Sequence, residues 1–392
     1  MPPIDTSLDA RLRAALAASP AVVPVVTGWC GSGRTAALLR LRDELGEGRC
    51  QYVDVERVAT TPERFFLSLV SHSPFTLHRD AEVGGMLGSP RGAFDAALVF
   101  LGAAHTHEGE PATFLLDEAL ELRTFESFPG LRSALADLVA AIDGSPNRFV
   151  LTSRFAVRAR RFAAGGASRL AVTEAPLLGV HEVAGALAHG GAGTDASTAA
   201  AVHALTAGHP GHVRALAAAM AAMGGGGDPL SALAQLLAPG GLLSGACRFC
   251  YELRLHRARG YGALKAILDV LAQEEPLTLS AVAQRMARTP GSTKDYLSWL
   301  EDVDLVQAAR KRYRITDPLL RLWIRLYGRP CPPTDDDLAR EIHRYASERL
   351  PLAPAPEAAE VPPAPPLEPT PVSVPERDRP AADRSWGIIE ID

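Results

Sequence analysis

Between residues 5 and 19 the apolar positions Leu8, Leu12, Ala15 and Leu16 recur at helical spacing, and Pro20 follows as a stop, so a helix is predicted there. Short apolar runs then alternate with helical patterns. The runs at 21–27, 50–55, 112–116, 148–152 and 169–172 are rich in Val, Leu or Phe, as expected of strands buried on both faces of a parallel sheet. From His181 to about Leu237 the pattern becomes helical and alanine-rich. It is broken by GHPGH at 208–212 and by the glycines 224–227, which cannot sit inside a stable helix.

A third region, about 261–327, has its own apolar set. Leu264, Ile267, Leu268 and Leu271 predict a first helix; Ser280 is placed to cap a second; Thr289-Pro290-Gly291 turns the chain into a third, beginning STKDYL. Residues 306–315 then read as a two-stranded wing with a basic tip. Helix, helix, turn, helix, wing is the order of a winged helix-turn-helix. From Pro351 the chain has too few large apolar residues to fold and favours extended polyproline, ending in Trp386-Gly387-Ile388-Ile389-Glu390-Ile391-Asp392.

Composition narrows the function classes. Hydrophobic residues make up 47% and charged residues 22% of the 392, which is ordinary for a chain with a substantial core. No apolar run reaches the ~18 residues needed to span a bilayer, and the first residues lack a signal peptide's basic-then-apolar order. No membrane association and a cytoplasmic location are therefore expected. The net charge of −5 argues against a protein that coats nucleic acid. Five scattered cysteines make no disulfide framework, and Cys247 and Cys250, a lone CxxC with His256 nearby, read as packing or surface thiols in preference to half a zinc site.

The chemistry starts at VVTGWCGSGRTAALLRL, from Val25 to Leu41. A β-branched run, a loop with Gly28, Gly31, Ser32 and Gly33, then Thr35 opening a helix is the layout of a phosphate loop. There, backbone N–H groups and a helix N-terminus converge on an anion, and the hydroxyl faces magnesium. Further on, ATFLLDEALEL ends a strand in Asp117-Glu118. One acid there can direct magnesium and the next can polarise water, although a helix N-cap is an equal reading of the pair alone. A third strand ends in Thr152, Ser153 and Arg154. In parallel sheets ligands sit beyond the carboxyl ends of the strands, so these three endings converge on one crevice.

The order of phosphate loop, LLDE strand, TSR strand, alanine-rich lid with a G-H-P turn, and YRITDPLLRLWIR resembles the AAA+-related STAND ATPases, more narrowly the archaeal or MNS type, over about residues 8 to 328. The resemblance implies an α/β P-loop NTPase core with a parallel sheet at 1–178 and a helical lid at 179–245. A winged helix-turn-helix follows at 246–330, a short helix or connector at 331–350, a disordered proline-rich tether at 351–385 and a docking peptide at 386–392. It implies ATP and Mg2+ as ligands, with Gly28, Gly31, Ser32, Gly33, Arg34 and Thr35 in the cradle. Thr35 and Asp117 become the metal-directing groups, Glu118 the base, and Thr152 or Ser153 the γ-phosphate sensor. Pro210 belongs to the lid turn against the nucleotide, Arg214 is a candidate lid arginine, and Asp54 either restrains Glu118 or is a surface acid.

One residue departs from the pattern. Arg34 stands where such loops carry lysine, and a planar fork replaces a compact point charge. Binding survives that change, but positioning for hydrolysis suffers, so a slow ATPase working as a switch or assembly factor is expected. The alternatives are an inactive nucleotide-bound adaptor and a DNA-binding regulator. Arg123, Arg132, Arg154, Arg158, Arg160 and Arg161 are candidates for an arginine finger in a homo-oligomer. Arg310, Lys311, Arg312 and Arg314 in the wing offer non-specific phosphate contacts to DNA, with Arg285 and Arg288 beside them. The third helix has Lys294 and then Asp295, Glu301 and Asp302, with nothing placed to read a base, which favours protein partners through the winged helix and the terminal peptide.

Overall fold

The computed structural model describes residues 7–18, 22–77, 88–165, 169–192, 195–224, 227–256, 258 and 260–350. The expected tether at 351–385, the terminal peptide at 386–392, Pro20 and part of the glycine run lie outside the described residues.

Five parallel strands form the central sheet: β1 (Val23–Thr27), β2 (Cys50–Asp54), β3 (Thr113–Asp117), β4 (Arg148–Ser153) and β5 (Leu170–Glu174), in the order β2-β3-β4-β1-β5. Each lies within two residues of a predicted apolar run. Alternation along the strands divides the core between two faces. Val25, Phe114, Leu116, Phe149 and Leu151 point to one side, where Phe114 stacks on Phe149 and helices Pro62–Ser71, Pro90–Ala103 and Ala134–Asp143 contribute further apolar residues. Val26, Leu115 and Val150 point to the other, against Leu8, Leu12 and Leu16 of helix Ser7–Ala17 and Leu38 and Leu41 of helix Arg34–Leu45.

The order matters for function. β1 and β3 both flank β4, so the loop after β1, the acids ending β3 and the polar end of β4 share one edge. This is the reversal point of strand order at which parallel sheets place ligands.

A helical layer follows, with helices Val180–Gly190, Ala196–Thr206, Pro210–Ala222 and Pro229–Leu237 packed around Val183, Leu187, Val202, Leu205, Leu216 and Leu233. Helix Asp335–Ser347 joins this same core through Leu338, Ile342 and Tyr345. The stretch read as a short helix or connector holds 13 helical residues, anchored by the buried Arg325–Glu341 ion pair and by Tyr345, whose hydroxyl donates to the Leu205 carbonyl at 2.5 Å.

Between these layers in sequence, helices Leu242–Leu255, Tyr261–Gln273, Leu279–Arg285, Pro290–Asp302 and Pro318–Tyr327 enclose a third core with a small antiparallel sheet. That sheet has the order β6-β8-β7, built from β6 (Leu277–Thr278), β7 (Val306–Ala309) and β8 (Arg312–Ile315). The cap of the second helix is Thr278 and not Ser280, because Thr278 is already extended in β6 and its hydroxyl accepts from the Ala281 N–H at 3.2 Å. Among the described residues no single helix is long and apolar enough to cross a membrane.

Candidate functional site

The loop between β1 and helix Arg34–Leu45 begins with a turn in which the Ser32 N–H donates to the Trp29 carbonyl at 3.0 Å. Gly31 and Gly33 have φ of 82° and 91°, a left-handed backbone that glycine adopts without a Cβ penalty. Gly33 is the N-cap residue of the helix and has no side chain to satisfy its first N–H groups, which leaves them to an anion. The Ser32 hydroxyl is buried without a partner.

Asp117 is the hub of the sheet edge. Its carboxylate accepts from the hydroxyls of Thr35 at 2.7 Å, Tyr52 at 2.9 Å and Thr152. Three hydroxyl donors hold a buried carboxylate in one orientation, which sets out hard oxygen ligands on two neighbouring elements. Tyr52 was not singled out from sequence. Its signal is a phenol in an otherwise half-apolar strand, and burial, followed by the adjacent Asp117 charge, pushes its pKa up.

Glu118 is the N-cap residue of helix Ala119–Ser127, but its side chain does not serve the cap. It sits at φ 52°, ψ 44°, its side chain makes no capping bond, and its N–H donates to Thr152 Oγ1 at 2.9 Å. A left-handed non-glycine residue is costly and persists where its surroundings fix it. Here both carboxylate oxygens are fixed. Arg34 Nη2 reaches Oε1 at 2.7 Å, while the Arg154 N–H donates to Oε2 at 2.9 Å and Arg154 Nε lies 3.2 Å from it.

Arg34 itself is 7% exposed. Besides Glu118, its Nη1 donates to the carbonyls of Gly28 and of Ser153, the latter at 2.8 Å. A lysine has a single nitrogen and lacks the fork by which Nη1 reaches the two carbonyls while Nη2 reaches Glu118. Of the two sensor candidates, only Thr152 has its side chain in the network. The Ser153 hydroxyl accepts from the Phe155 N–H at 3.0 Å and closes a turn on its own backbone. Asp54 caps helix Val55–Val58 by accepting from the Arg57 N–H at 3.2 Å, and the residues that restrain Glu118 are Arg34 and Arg154.

The turn at 208–211 lies against the glycine loop. Pro210 is the first residue of helix Pro210–Ala222, and Arg214 Nη2 donates to the Gly31 carbonyl at 3.2 Å. A Cβ on Gly211 would lie 3.0 Å from the Gly31 oxygen, so glycine is required for the approach. Beside it His209 is buried with neither ring nitrogen bonded, and burial lowers its pKa to about 3, helped by the nearby His212 charge and opposed by Asp317.

Most finger candidates are committed within the chain. Arg154 is buried and paired with Glu56 and Glu118, Arg158 and Arg161 pair with Asp302, Arg160 with Glu174 and Arg123 with Glu126. Arg132 is exposed. Among the described residues no cluster of three or more His, Cys, Asp or Glu is placed to hold a metal, so Cys247, Cys250 and His256 form no zinc site; Cys247 is packed in the third core.

Neither a family model nor a curated protein sequence matches this chain. Among solved structures it is similar to the Walker-type ATPase paby2304 of Pyrococcus abyssi, at 18% identity over 82% of this chain and 95% of that one, with a TM-score of 0.60. The two chains share a fold. Matches of lower TM-score include the ORC2 protein of Aeropyrum pernix in its ADPNP–ADP complexes (14% identity, 88% of this chain and 95% of that one, TM-score 0.48). Another is a STAND protein with a tetratricopeptide repeat sensor from Pyrococcus horikoshii (14% identity, 86% of this chain and 44% of that one, TM-score 0.34).

Proposed function

We propose that the chain binds ATP with Mg2+ at the shared edge of β1, β3 and β4 and works as a nucleotide-dependent switch or assembly factor with slow hydrolysis. The observation that carries this reading is the Thr35–Asp117–Thr152 cluster beside a glycine loop with a buried, unpartnered Ser32 hydroxyl. Thr35 and Asp117 would hold Mg2+, directly or through water, and hard oxygen donors of this kind suit it. When bound, the ion supplies neutralisation of charge on the phosphates.

Glu118 is the base in this reading, and the chain holds it back. A base needs a free lone pair facing water, yet Arg34 and Arg154 engage both oxygens. A phosphate in the loop competes with Glu118 for the Arg34 guanidinium, and only the molecules in which it wins have Oε1 free. Arg34 thus anchors phosphate and restrains the base with one group, which makes turnover slow. An adaptor that keeps its nucleotide is the second reading, favoured by the same ion pair.

We read residues 261–315 as a winged helix that docks proteins. Its helix Pro290–Asp302 exposes Lys294, Asp295 and Ser298, a face without the Arg, Asn or Gln that reads base edges. Arg285 is engaged by Glu274 at 2.5 Å, which leaves the exposed Arg310, Lys311, Arg312 and Arg314 of the wing, with Arg288, as the candidates for non-specific DNA contacts. Protein partners and self-assembly fit this surface better than DNA does.

Binding and turnover of ATP by the wild type, Glu118→Gln and Arg34→Lys test the reading. All three are expected to bind, Glu118→Gln to lose the residual turnover, and Arg34→Lys to gain roughly tenfold, a barrier change of ~1.4 kcal/mol. Equal background turnover in wild type and Glu118→Gln rejects the hydrolytic switch and leaves the adaptor. No binding by any of them rejects the nucleotide site.

A further inference from the structure

Two cysteines far apart in sequence meet beside the glycine-rich loop. Cys30 stands at the corner of the Trp29–Ser32 turn and is partly exposed, whereas Cys250 is buried on helix Leu242–Leu255. The two thiols are near enough to act on each other's ionisation. A second contact fixes the same juxtaposition independently. One turn after Cys250 on its helix, the Arg254 guanidinium lies 4.3 Å from the ring centre of Trp29, the residue before Cys30. Arg254 is in turn held by the carbonyls of Val303 at 2.6 Å and Arg154 at 3.1 Å. The CxxC partner, Cys247, faces the apolar core instead.

We propose that Cys30 and Cys250 form a peroxide-sensitive thiol pair that closes into a disulfide between the glycine-rich loop and helix Leu242–Leu255. The surroundings suit the two unlike roles that such a pair needs. The neighbouring Cys250 thiol and the guanidiniums of Arg254, Arg154 and Arg34 bring the Cys30 pKa down against the effect of burial. Cys250, beside Cys30 and buried, is pushed up and stays protonated. Burial also pushes up Cys50, to about 12, and Cys247.

The Cys30 thiolate attacks one oxygen of hydrogen peroxide: an S–O bond forms, the O–O bond breaks and hydroxide leaves, giving a sulfenic acid. The Cys250 sulfur then attacks the Cys30 sulfur, forming the S–S bond and breaking S–O, and its proton goes to the departing oxygen. In sum two thiols and one peroxide give one disulfide and two waters, the thiols losing two electrons and the peroxide gaining them. Closure draws the loop toward the helix from non-bonded contact to bonding distance. The consequence for ligand binding rests on the proposed nucleotide site, but the thiol chemistry does not.

The full-length protein is treated with hydrogen peroxide, free thiols are alkylated, and peptides are mapped without reduction. A Cys30–Cys250 cross-linked pair is expected in the wild type, and in Cys250→Ser a dimedone-trapped sulfenic acid at Cys30. Recovery of both thiols free in the oxidised wild type, or Cys30 joined to another cysteine, overturns the proposal. In a parallel measurement the oxidised protein is expected to bind a fluorescent ATP analogue at least ~10-fold more weakly than the reduced one, with dithiothreitol restoring binding. Equal affinity in both states overturns the coupling to the loop. Absence of binding in the reduced state instead refutes the nucleotide site, and the cross-link map still decides the thiol pair.

Discussion

Arg34 illustrates how much one side chain's shape decides. Its charge alone would place it beside any anion, but its fork lets it join the Gly28 and Ser153 carbonyls to the Glu118 carboxylate in a buried position. Asp117, Thr35 and Thr152 were legible in the sequence because each lies at the carboxyl end of an apolar run or the start of the helix after one. Tyr52, Arg254 and the Cys30–Cys250 pair were not, since they meet their partners across long stretches of chain and no periodicity marks them. His209 was seen as part of a turn but not as a titrating group. Its neutral buried ring makes a prediction with a definite sign. Because its folded pKa lies below its unfolded one, its contribution to stability is present above about pH 6.5 and is lost as the pH falls toward 3. Between pH 7 and pH 5 the loss amounts to ~2 kcal/mol. Denaturant unfolding at both pH values is expected to show that loss, and His209→Gln is expected to remove most of the difference.

At the scale of elements, the helix starting at Pro210 touches Gly31 of the glycine loop through Gly211 and Arg214. Gly211→Ala is expected to keep the fold, at a cost of up to ~2 kcal/mol, while weakening nucleotide binding roughly tenfold, because the new methyl group pushes the helix from Gly31. Thermal unfolding and nucleotide titration of the same variant separate the two effects. The hairpin between β7 and β8 turns on Arg310 and Lys311, both left-handed at φ 50° and 63°, a turn that favours Asn-Gly. Replacing the pair by Asn-Gly is expected to stabilise the chain by ~1 kcal/mol. If the wing contacts DNA phosphates, the same change lowers the slope of log affinity against log salt by ~2, and an unchanged slope removes these residues from any DNA contact. The strands and most helices were readable because their apolar spacing is local. The helix cap at Thr278 and the anchoring of helix Asp335–Ser347 were not, since β6 pairing fixes the first and Leu205, Arg325 and the lid core fix the second.

Across the whole molecule, the C-terminal region is fastened to the sheet layer next to the candidate site. Asp304 accepts from the N–H groups of Ala156 at 2.6 Å and Val157 at 3.2 Å, capping helix Ala156–Ala164, which follows β4. Asp302 pairs with Arg158 and Arg161 on that helix, and Arg254 bonds the Arg154 carbonyl before it. The acids that argued against DNA contact when read along the helix are in part the residues that hold this region in place. Asp304→Ala is expected to cost ~1–2 kcal/mol, measured by urea unfolding. It should also loosen the β4 edge, read as faster hydrogen exchange at Ala156 and Val157; exchange unchanged from wild type would show that the cap does not hold this junction.

The sequence by itself determined the five strands, the glycine loop, the acid-bearing strand ends and the alanine-rich helices, because hydrophobic period and turn chemistry act over a few residues. Only the tertiary structure decided that the sheet order brings β1 and β3 to either side of β4, and that Arg34 clasps Glu118. Those outcomes depend on which buried charges find partners when distant segments pack. A buried charge must find a partner wherever the fold supplies one, and sequence spacing does not record where that is.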